Sequence, residues 1–186
     1  MNHAAIVTLA IGEKHLAYWR QYCERSWRAY AERCGYDLLV LTEPLDSSPR
    51  AAARSPAWQK CLVLSQEFSA RYQQIIALDC DIVINDAAPP ITEQSPEQRV
   101  GGVISGSHIH EDLRAVLLSR LRGQPLAYEP GLRLWQDDQA RHYALQGFET
   151  MFAGIVQTGV LVVSPRHHRE IFEDVYARDY PEERSF

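Results

Sequence analysis

The chain has 186 residues, of which 46% are hydrophobic and 23% are charged, and its formal net charge is −5 at pH 7. These values are those of an ordinary globular chain that can bury one sizeable core. The acidic balance argues against a protein whose main task is to hold a polyanion on a broad basic surface. Every apolar run is shorter than the roughly 18 residues that a membrane helix requires. We therefore predict a single cytoplasmic domain over residues 1–186.

The first half of the chain predicts alternating strands and helices. Strands are predicted at residues 4–10, 36–41 and 74–78. From Leu16 to Cys34, apolar residues recur at three- and four-residue steps, which indicates one amphipathic helix that ends at Gly35. Ser55 and Pro56 are typical of the start of a second helix, over residues 56–68. This order predicts an α/β fold with a mainly parallel sheet and right-handed crossovers.

The second half of the chain continues this pattern less regularly. Further strands are predicted at residues 99–105 and 159–163. Helices are predicted at residues 111–122, 138–146 and 165–176, and Ser164 and Pro165 are expected to open the last of these. Trp19, Trp27 and Trp58 occupy positions typical of the helix core.

Two aspartates, Asp79 and Asp81, follow the third predicted strand directly in the sequence QQIIALDCDIVINDAAPP. Residues i and i+2 of an extended chain point to the same face and are separated by about 6.6 Å of rise. Ligands of open parallel sheets bind beyond the carboxyl ends of the strands, so the pair lies where a ligand is expected. Two carboxylates suit Mg²⁺ or Mn²⁺ and leave coordination positions for phosphate and water. The alternative is a solvated turn, because Asp-x-Asp alone is a weak motif.

Three segments carry a resemblance to a known family. The sequence IIALDCDIVINDAAPPI, which follows a helix containing WQKCLVL, resembles the segment around the DXD motif in GT-A fold glycosyltransferases of the glycogenin-like and galactosyl/mannosyltransferase kind. QTGVLVVSPRHH is similar to that family's Asn-Thr/Ala-Gly strand, and IVTLAIGEKH is similar to its first strand and nucleoside-binding loop. The resemblance implies a Rossmann-like GT-A fold, with a mainly parallel sheet and helices on both faces.

The resemblance also implies an activity. Such an enzyme moves a sugar from a nucleotide diphosphate, commonly a UDP-sugar, to an acceptor hydroxyl, and Mn²⁺ or Mg²⁺ stabilises the charge on the departing diphosphate. One alternative is an inactive module of the same fold that binds nucleotide-sugars. Another is a sugar nucleotidyltransferase, which would want a glycine-rich basic loop where this chain has only Gly12 and Lys14. The acceptor can be a saccharide, a lipid or a protein, and no nucleic-acid partner is expected.

The resemblance assigns roles to individual residues. The metal ligands are Asp79 and Asp81. The catalytic residues are Asp81 and Gln157. The donor-binding residues are Thr8, Ala10, Gly12, Lys60, Asp79 and Cys80. The acceptor-side residues are Trp135, Gln157, Thr158 and Gly159.

Several of these roles have alternatives or depart from the family. Lys60 could be a solvated helix residue, and Thr8 an ordinary strand residue. Gln157 replaces the usual Asn of its motif. Cys80 is expected to be a packing thiol whose backbone passes the nucleotide, rather than a nucleophile.

The family's third metal ligand, often His, comes from a segment beyond the point where this chain ends. We therefore expect either a fragment or a shortened relative whose metal site is completed by His142, His167, a partner chain or water. Asp137 and Asp138 could provide an acceptor-side carboxylate, but they fit a helix N-terminus better.

Overall fold

A computed structural model describes residues 3–104 and 156–179. The chain divides into two compact units, Met1–Gly102 with Thr158–Phe186, and Val103–Gln157. Four candidate residues, Trp135, Asp137, Asp138 and His142, lie outside the described residues, as do the helices predicted at 111–122 and 138–146. No helix in the described ranges is both long and apolar enough to cross a membrane. The single domain and the cytoplasmic location stay predictions.

Five strands form one sheet. They are β1 (Ala4–Leu9), β2 (Asp37–Leu41), β3 (Gln74–Leu78), β4 (Gly101–Ile104) and β5 (Val156–Val163), and their order across the sheet is β2-β1-β3-β5-β4. β1 pairs in parallel with both β2 and β3, as predicted. β5 is antiparallel to β3, with Leu78 opposite Val160 and Ile75 opposite Val163. The sheet is therefore parallel at β2-β1-β3 and reverses direction at β5.

A single helical segment connects β1 to β2, as the apolar spacing predicts. It consists of α1 (Glu13–Tyr18), a π-helical turn (Trp19–Cys23) and α2 (Glu24–Cys34). Gly12 precedes it with φ of 86°, and Gly35 ends it with φ of 67°, a conformation that glycine adopts without steric cost. The π-helical turn, which the spacing does not predict, inserts one wider turn into the helix.

Helices cover both faces of the sheet. On one face, Ile6, Ile76 and Val162 pack with Trp19 and Trp27 of the connecting helical segment, which confirms these two tryptophans as core residues. Side chains of successive strand residues alternate between the faces. The alternate set is equally buried and consists of Ala5, Val7, Ile75, Ala77, Leu161 and Val163. The segment between β2 and β3 contacts β1 and packs against the last helix.

The helix predicted at residues 56–68 is not an α-helix. It forms two 3₁₀ helices, Pro56–Ser65 and Glu67–Arg71. The predicted start is confirmed, because the Ser55 hydroxyl accepts a hydrogen bond from the Ala57 N–H at 3.4 Å. A 3₁₀ helix has three residues per turn, so the buried residues of the longer helix are Gln59, Val63 and Leu64 rather than a face with α-helical spacing. Two further short helices are α3 (Pro49–Ala52), which precedes this region, and the 3₁₀ turn Ile91–Gln94, which comes after β3.

The last helix, α4 (Pro165–Ala177), follows β5 almost as predicted. Ser164 precedes it, but its side chain does not cap the helix. Instead the Ser164 hydroxyl donates to Glu97 at 3.3 Å, and the Ser164 N–H donates to Nδ1 of buried His168 at 2.8 Å. Arg169 of α4 donates to the Leu64 carbonyl at 2.9 Å. This contact joins α4 to the 3₁₀ helix Pro56–Ser65.

Candidate active site at the carboxyl end of β3

Asp79 is the first residue after β3, and three elements meet at it. Its N–H donates to the Gly159 carbonyl of β5 at 2.9 Å. The ammonium of Lys60, from the 3₁₀ helix Pro56–Ser65, forms an ion pair with Asp79 Oδ1 and donates to the Thr158 carbonyl at 3.1 Å. The Lys60 side chain is 13% exposed and that of Asp79 is 42% exposed. The carboxylate therefore has a mostly buried cation on one side and solvent on the other.

Gly159 borders the second oxygen of the same carboxylate. A Cβ atom at this position would lie 3.0 Å from Asp79 Oδ2, which is closer than ordinary side-chain contacts. Any larger residue would therefore crowd the carboxylate. Of the acceptor-side residues, Thr158 and Gly159 lie beside Asp79, while Gln157 is an exposed residue of β5 in the second unit.

The chain turns after Asp79 instead of remaining extended. The Ile82 N–H donates to the Asp79 carbonyl at 3.2 Å, which closes a β-turn over residues 79–82. The expectation that Asp79 and Asp81 follow one another on an extended strand is therefore wrong. The two carboxylates occupy the first and third positions of a turn, and Asp81 is exposed.

The two cysteines at and beside this turn, Cys80 and Cys23, both have raised pKa values. Burial raises the pKa of Cys80, and the charges of Asp81 and Asp79 raise it further. Burial also raises the pKa of Cys23, and Asp81 adds to the effect. Thiolate is the nucleophilic form of cysteine, so a raised pKa disfavours a nucleophilic role for Cys80.

The end of β1 lies next to the end of β3, because their register pairs Val7 with Ala77. Thr8 and Ala10 are buried there, and the Ala10 N–H donates to the Leu41 carbonyl of β2 at 2.8 Å. The Thr8 hydroxyl has no hydrogen-bond partner within residues 3–104 and 156–179. Gly12 is exposed just beyond. These residues therefore lie at the carboxyl end of β1, next to the carboxyl end of β3.

Side chains of α2 form hydrogen bonds with the segment that follows Asp81. We call residues 82–92 the post-turn segment. Its main chain bonds to four side chains of α2, which are Ser26, Trp27, Tyr30 and Arg33. The indole of Trp27 donates to the Ile82 carbonyl at 2.7 Å, immediately after the turn. These hydrogen-bonding side chains repeat at helical spacing along one stripe of α2, and this spacing is a signal present in the sequence.

His167 does not lie near the aspartates, so it is wrong as a candidate third metal ligand. β5 runs antiparallel to β3, and its last residue Val163 pairs with Ile75 near the start of β3. His167, four residues later, therefore lies near the amino end of β3, away from the aspartates, and its Nε2 is 3.7 Å from Glu97.

Asp79 and Asp81, which we call the acid pair, offer carboxylate oxygens, and these are ligands that suit a hard divalent cation. Within the described ranges, no group of three or more His, Cys, Asp and Glu side chains is placed to hold a metal ion. Asp79 and Asp81 would supply two carboxylates to such a cation, and phosphate and water oxygens suit further positions, which is how proteins commonly bind Mg²⁺. Lys60 contacts Oδ1, the small Gly159 borders Oδ2, and 42% of the Asp79 side chain is exposed.

Comparisons with known proteins support the fold. No protein-family model and no curated protein matches the sequence. The structure is similar to the crystal structure of a glycosyltransferase involved in the glycosylation of the major capsid of PBCV-1, with a TM-score of 0.50 and 16% sequence identity. The similarity covers 93% of this chain and 66% of that one. With the sheet described above, it shows that the chain has a mixed α/β, GT-A-like Rossmann fold.

Proposed function

We propose that this chain is the nucleotide-sugar-binding domain of a metal-dependent glycosyltransferase, which moves a sugar from a UDP-sugar to an acceptor hydroxyl. One observation carries the proposal. The Asp79 carboxylate stands at the carboxyl end of β3, between the Lys60 ammonium and Gly159, in a fold similar to that of a glycosyltransferase structure. In open α/β sheets, ligands bind beyond the carboxyl ends of the strands.

The chemistry of the reaction explains the residue types. Breaking the bond between the anomeric carbon and the diphosphate oxygen leaves negative charge on the diphosphate. Mn²⁺ or Mg²⁺ held by Asp79 and Asp81 would supply Lewis-acid stabilisation of that charge. Lys60 provides a further positive charge in the same place, and its low exposure strengthens its interaction with an anion.

The remaining residues have positional roles in this proposal. Thr8, Ala10 and Gly12 border the nucleoside, and the backbone of Cys80 passes the nucleotide. Gln157 and Trp135 stay predicted acceptor-side residues, and Trp135 lies outside the described residues. Thr158 and Gly159 shape the side of the site next to Asp79.

Calorimetric titration with UDP, with and without Mn²⁺, tests the proposal. We expect Mn²⁺ to strengthen UDP binding to the wild type. Asp81→Ala should weaken Mn²⁺-dependent binding at least about tenfold, equivalent to about 1.4 kcal/mol. Asp174→Ala, which removes an exposed acid of α4, is the matched control and should bind as the wild type does. Unchanged Mn²⁺-dependent affinity in Asp81→Ala would contradict the assignment.

A second candidate is a module that binds nucleotide-sugars without turnover. The ion pair between Lys60 and Asp79 favours it, because an internal cation already neutralises part of the acid pair. Incubation with a panel of UDP- and GDP-sugars and Mn²⁺ separates the two functions. Release of the nucleotide diphosphate from any donor supports the transferase, whereas binding without release from every donor supports the module.

A further inference from the structure

A groove of about 630 Å³ lies between the connecting helical segment and the post-turn segment, and neither Asp79 nor Asp81 lines it. Its lining residues are Tyr22, Arg25, Ser26, Ala29, Tyr30, Arg33, Asn85 and Asp86. This volume is within the range of small-molecule sites, about 300–1,000 Å³. The groove is therefore large enough for a ligand of several rings.

An exposed aromatic surface extends from the groove along the helix. Tyr22 is 53% exposed, and Tyr18, one helical turn earlier, is 46% exposed. Their ring centroids are 4.6 Å apart, with an angle of 47° between the planes. Tyrosine combines a large apolar ring with a polar hydroxyl, which is why it is enriched at interfaces. The two rings offer flat surfaces on which the apolar face of a ring-shaped ligand can pack.

Three planar polar side chains, those of Arg25, Asn85 and Asp86, line the groove together with Tyr22. Within residues 3–104 and 156–179, the Arg25 guanidinium and the Asp86 carboxylate form no ion pair. The Asn85 side chain accepts a hydrogen bond from the Ala87 N–H at 2.8 Å through Oδ1, which leaves its NH₂ group available. A guanidinium, an amide and a carboxylate can each bind two neighbouring hydroxyl groups at once.

The walls of the groove are held in place. Arg33 donates to the Ala88 carbonyl at 2.6 Å and to the Asp86 carbonyl. Ser26 accepts from the Ile84 N–H at 3.2 Å. A site whose walls are fixed before binding loses less conformational entropy when the ligand arrives.

We propose that this groove binds an oligosaccharide of pyranose units. A pyranose ring has an apolar face of C–H groups, which would pack on Tyr22, and pairs of equatorial hydroxyls, which would bond to Arg25, Asn85 and Asp86. A polyphosphate fits less well, because the Asp86 carboxylate would repel it and Arg33 already donates to two main-chain carbonyls. The inference stands on the groove alone and does not depend on the acid pair being catalytic.

Titration with a panel of hexasaccharides tests the proposal without donor or metal. The panel contains α- and β-linked glucose, mannose, galactose and N-acetylglucosamine oligomers, and binding is measured by saturation-transfer NMR and calorimetry. We expect at least one member to bind with a Kd of about 1 mM or lower. Tyr22→Ala and Arg25→Ala should each weaken that binding about tenfold.

Matched variants distinguish this site from the acid pair. Tyr22→Phe keeps the ring, and Arg20→Ala removes an exposed arginine of the same helix outside the groove, so both should bind within about twofold of the wild type. Asp81→Ala should also bind normally. The proposal is overturned if no hexasaccharide binds, if Tyr22→Ala binds as the wild type does, or if Asp81→Ala abolishes binding.

Discussion

Lys60 determines how the Asp79 carboxylate meets a cation. Its ammonium is mostly buried and contacts Oδ1, while 42% of the Asp79 side chain remains exposed. A divalent ion that binds the acid pair must therefore compete with an internal positive charge. Because the carboxylate is partly solvated, the pair contributes little to folding, about 1 kcal/mol or less. Its main effect is on the electrostatics of the site.

Replacing Lys60 by methionine should separate its effects on metal and on nucleotide. We expect Lys60→Met to bind Mn²⁺ alone about three- to tenfold more tightly, because the competing ammonium is gone. UDP at saturating Mn²⁺ should bind more weakly, because a positive charge near the diphosphate is lost. Paramagnetic resonance of free Mn²⁺ measures the first effect and calorimetry the second.

Lys14→Met is the matched control for this variant. Lys14 is the only other lysine of the chain and is exposed on α1. Its removal should change neither affinity. Unchanged or weaker Mn²⁺ binding in Lys60→Met would contradict competition at Asp79.

Individual residues show how far the sequence predicts this site. The apolar strand that ends in two acids predicts the position of Asp79, and the basic helix residue Lys60 does lie beside it. The turn at residues 79–82 could not be predicted in the same way. It is accompanied by the hydrogen bond from Trp27 to Ile82, a contact between residues 55 positions apart that local periodicity does not encode.

At the scale of elements, α2 serves both as a core helix and as an anchor for the post-turn segment. The Tyr30 hydroxyl donates to the Pro89 carbonyl at 2.8 Å and accepts from the Ile91 N–H at 2.9 Å. It thereby satisfies two main-chain groups on either side of Pro90. Loss of the hydroxyl would leave both groups without this partner. Water can replace it at exposed Pro89, whereas the N–H of half-buried Ile91 is costlier to leave unsatisfied.

Tyr30→Phe should therefore destabilise the protein by about 1–3 kcal/mol. Tyr36→Phe is the control, because the Tyr36 hydroxyl bonds at 2.7 Å to the Thr92 hydroxyl, which can rotate to another partner. It should cost about 1 kcal/mol or less. Urea denaturation of the three proteins measures the free energies of unfolding. Equal losses in both variants would show that the bridge formed by Tyr30 has no special role.

The elements also show which sequence signals are reliable. β-branched content predicts the existence of β5 but not its direction, since residues alternate in the same way in parallel and antiparallel strands. The antiparallel pairing with β3 is why His167 lies far from the aspartates. Apolar spacing likewise predicts helical structure after Pro56, but not whether its hydrogen bonds are of the α or the 3₁₀ type.

At the scale of the whole chain, one arginine joins segments more than 120 residues apart. Arg54 is buried, with 2% of its side chain exposed, and donates to the carbonyls of Tyr176 and Arg178 at 2.5 Å each. Its guanidinium also lies 4.8 Å from the centre of the Trp58 ring. These contacts connect the end of α4 to the segment between β2 and β3.

A second contact connects the same two regions. The Tyr176 hydroxyl donates to Asp46 at 2.7 Å, and Ser48 also bonds to this carboxylate. The bond from Tyr176 is the largest cause of the lowered pKa of Asp46. Burial, followed by the bond to Asp46, raises the pKa of Tyr176 to about 12. The loop after β2 is thus fixed to α4 from two sides.

Arg54→Lys should destabilise the fold by about 2–4 kcal/mol, because a buried lysine keeps the charge but cannot reach both carbonyls with planar geometry. Arg50→Lys is the matched control. Arg50 pairs with Asp179 at 2.8 Å, but 38% of its side chain is exposed. Arg50→Lys should therefore change the free energy of unfolding by no more than about 0.5 kcal/mol. Urea denaturation measures both, and equal m-values would show that the variants unfold from the same compact state. If Arg54→Lys were no less stable than Arg50→Lys, the buried guanidinium would not be what connects α4 to the loop after β2.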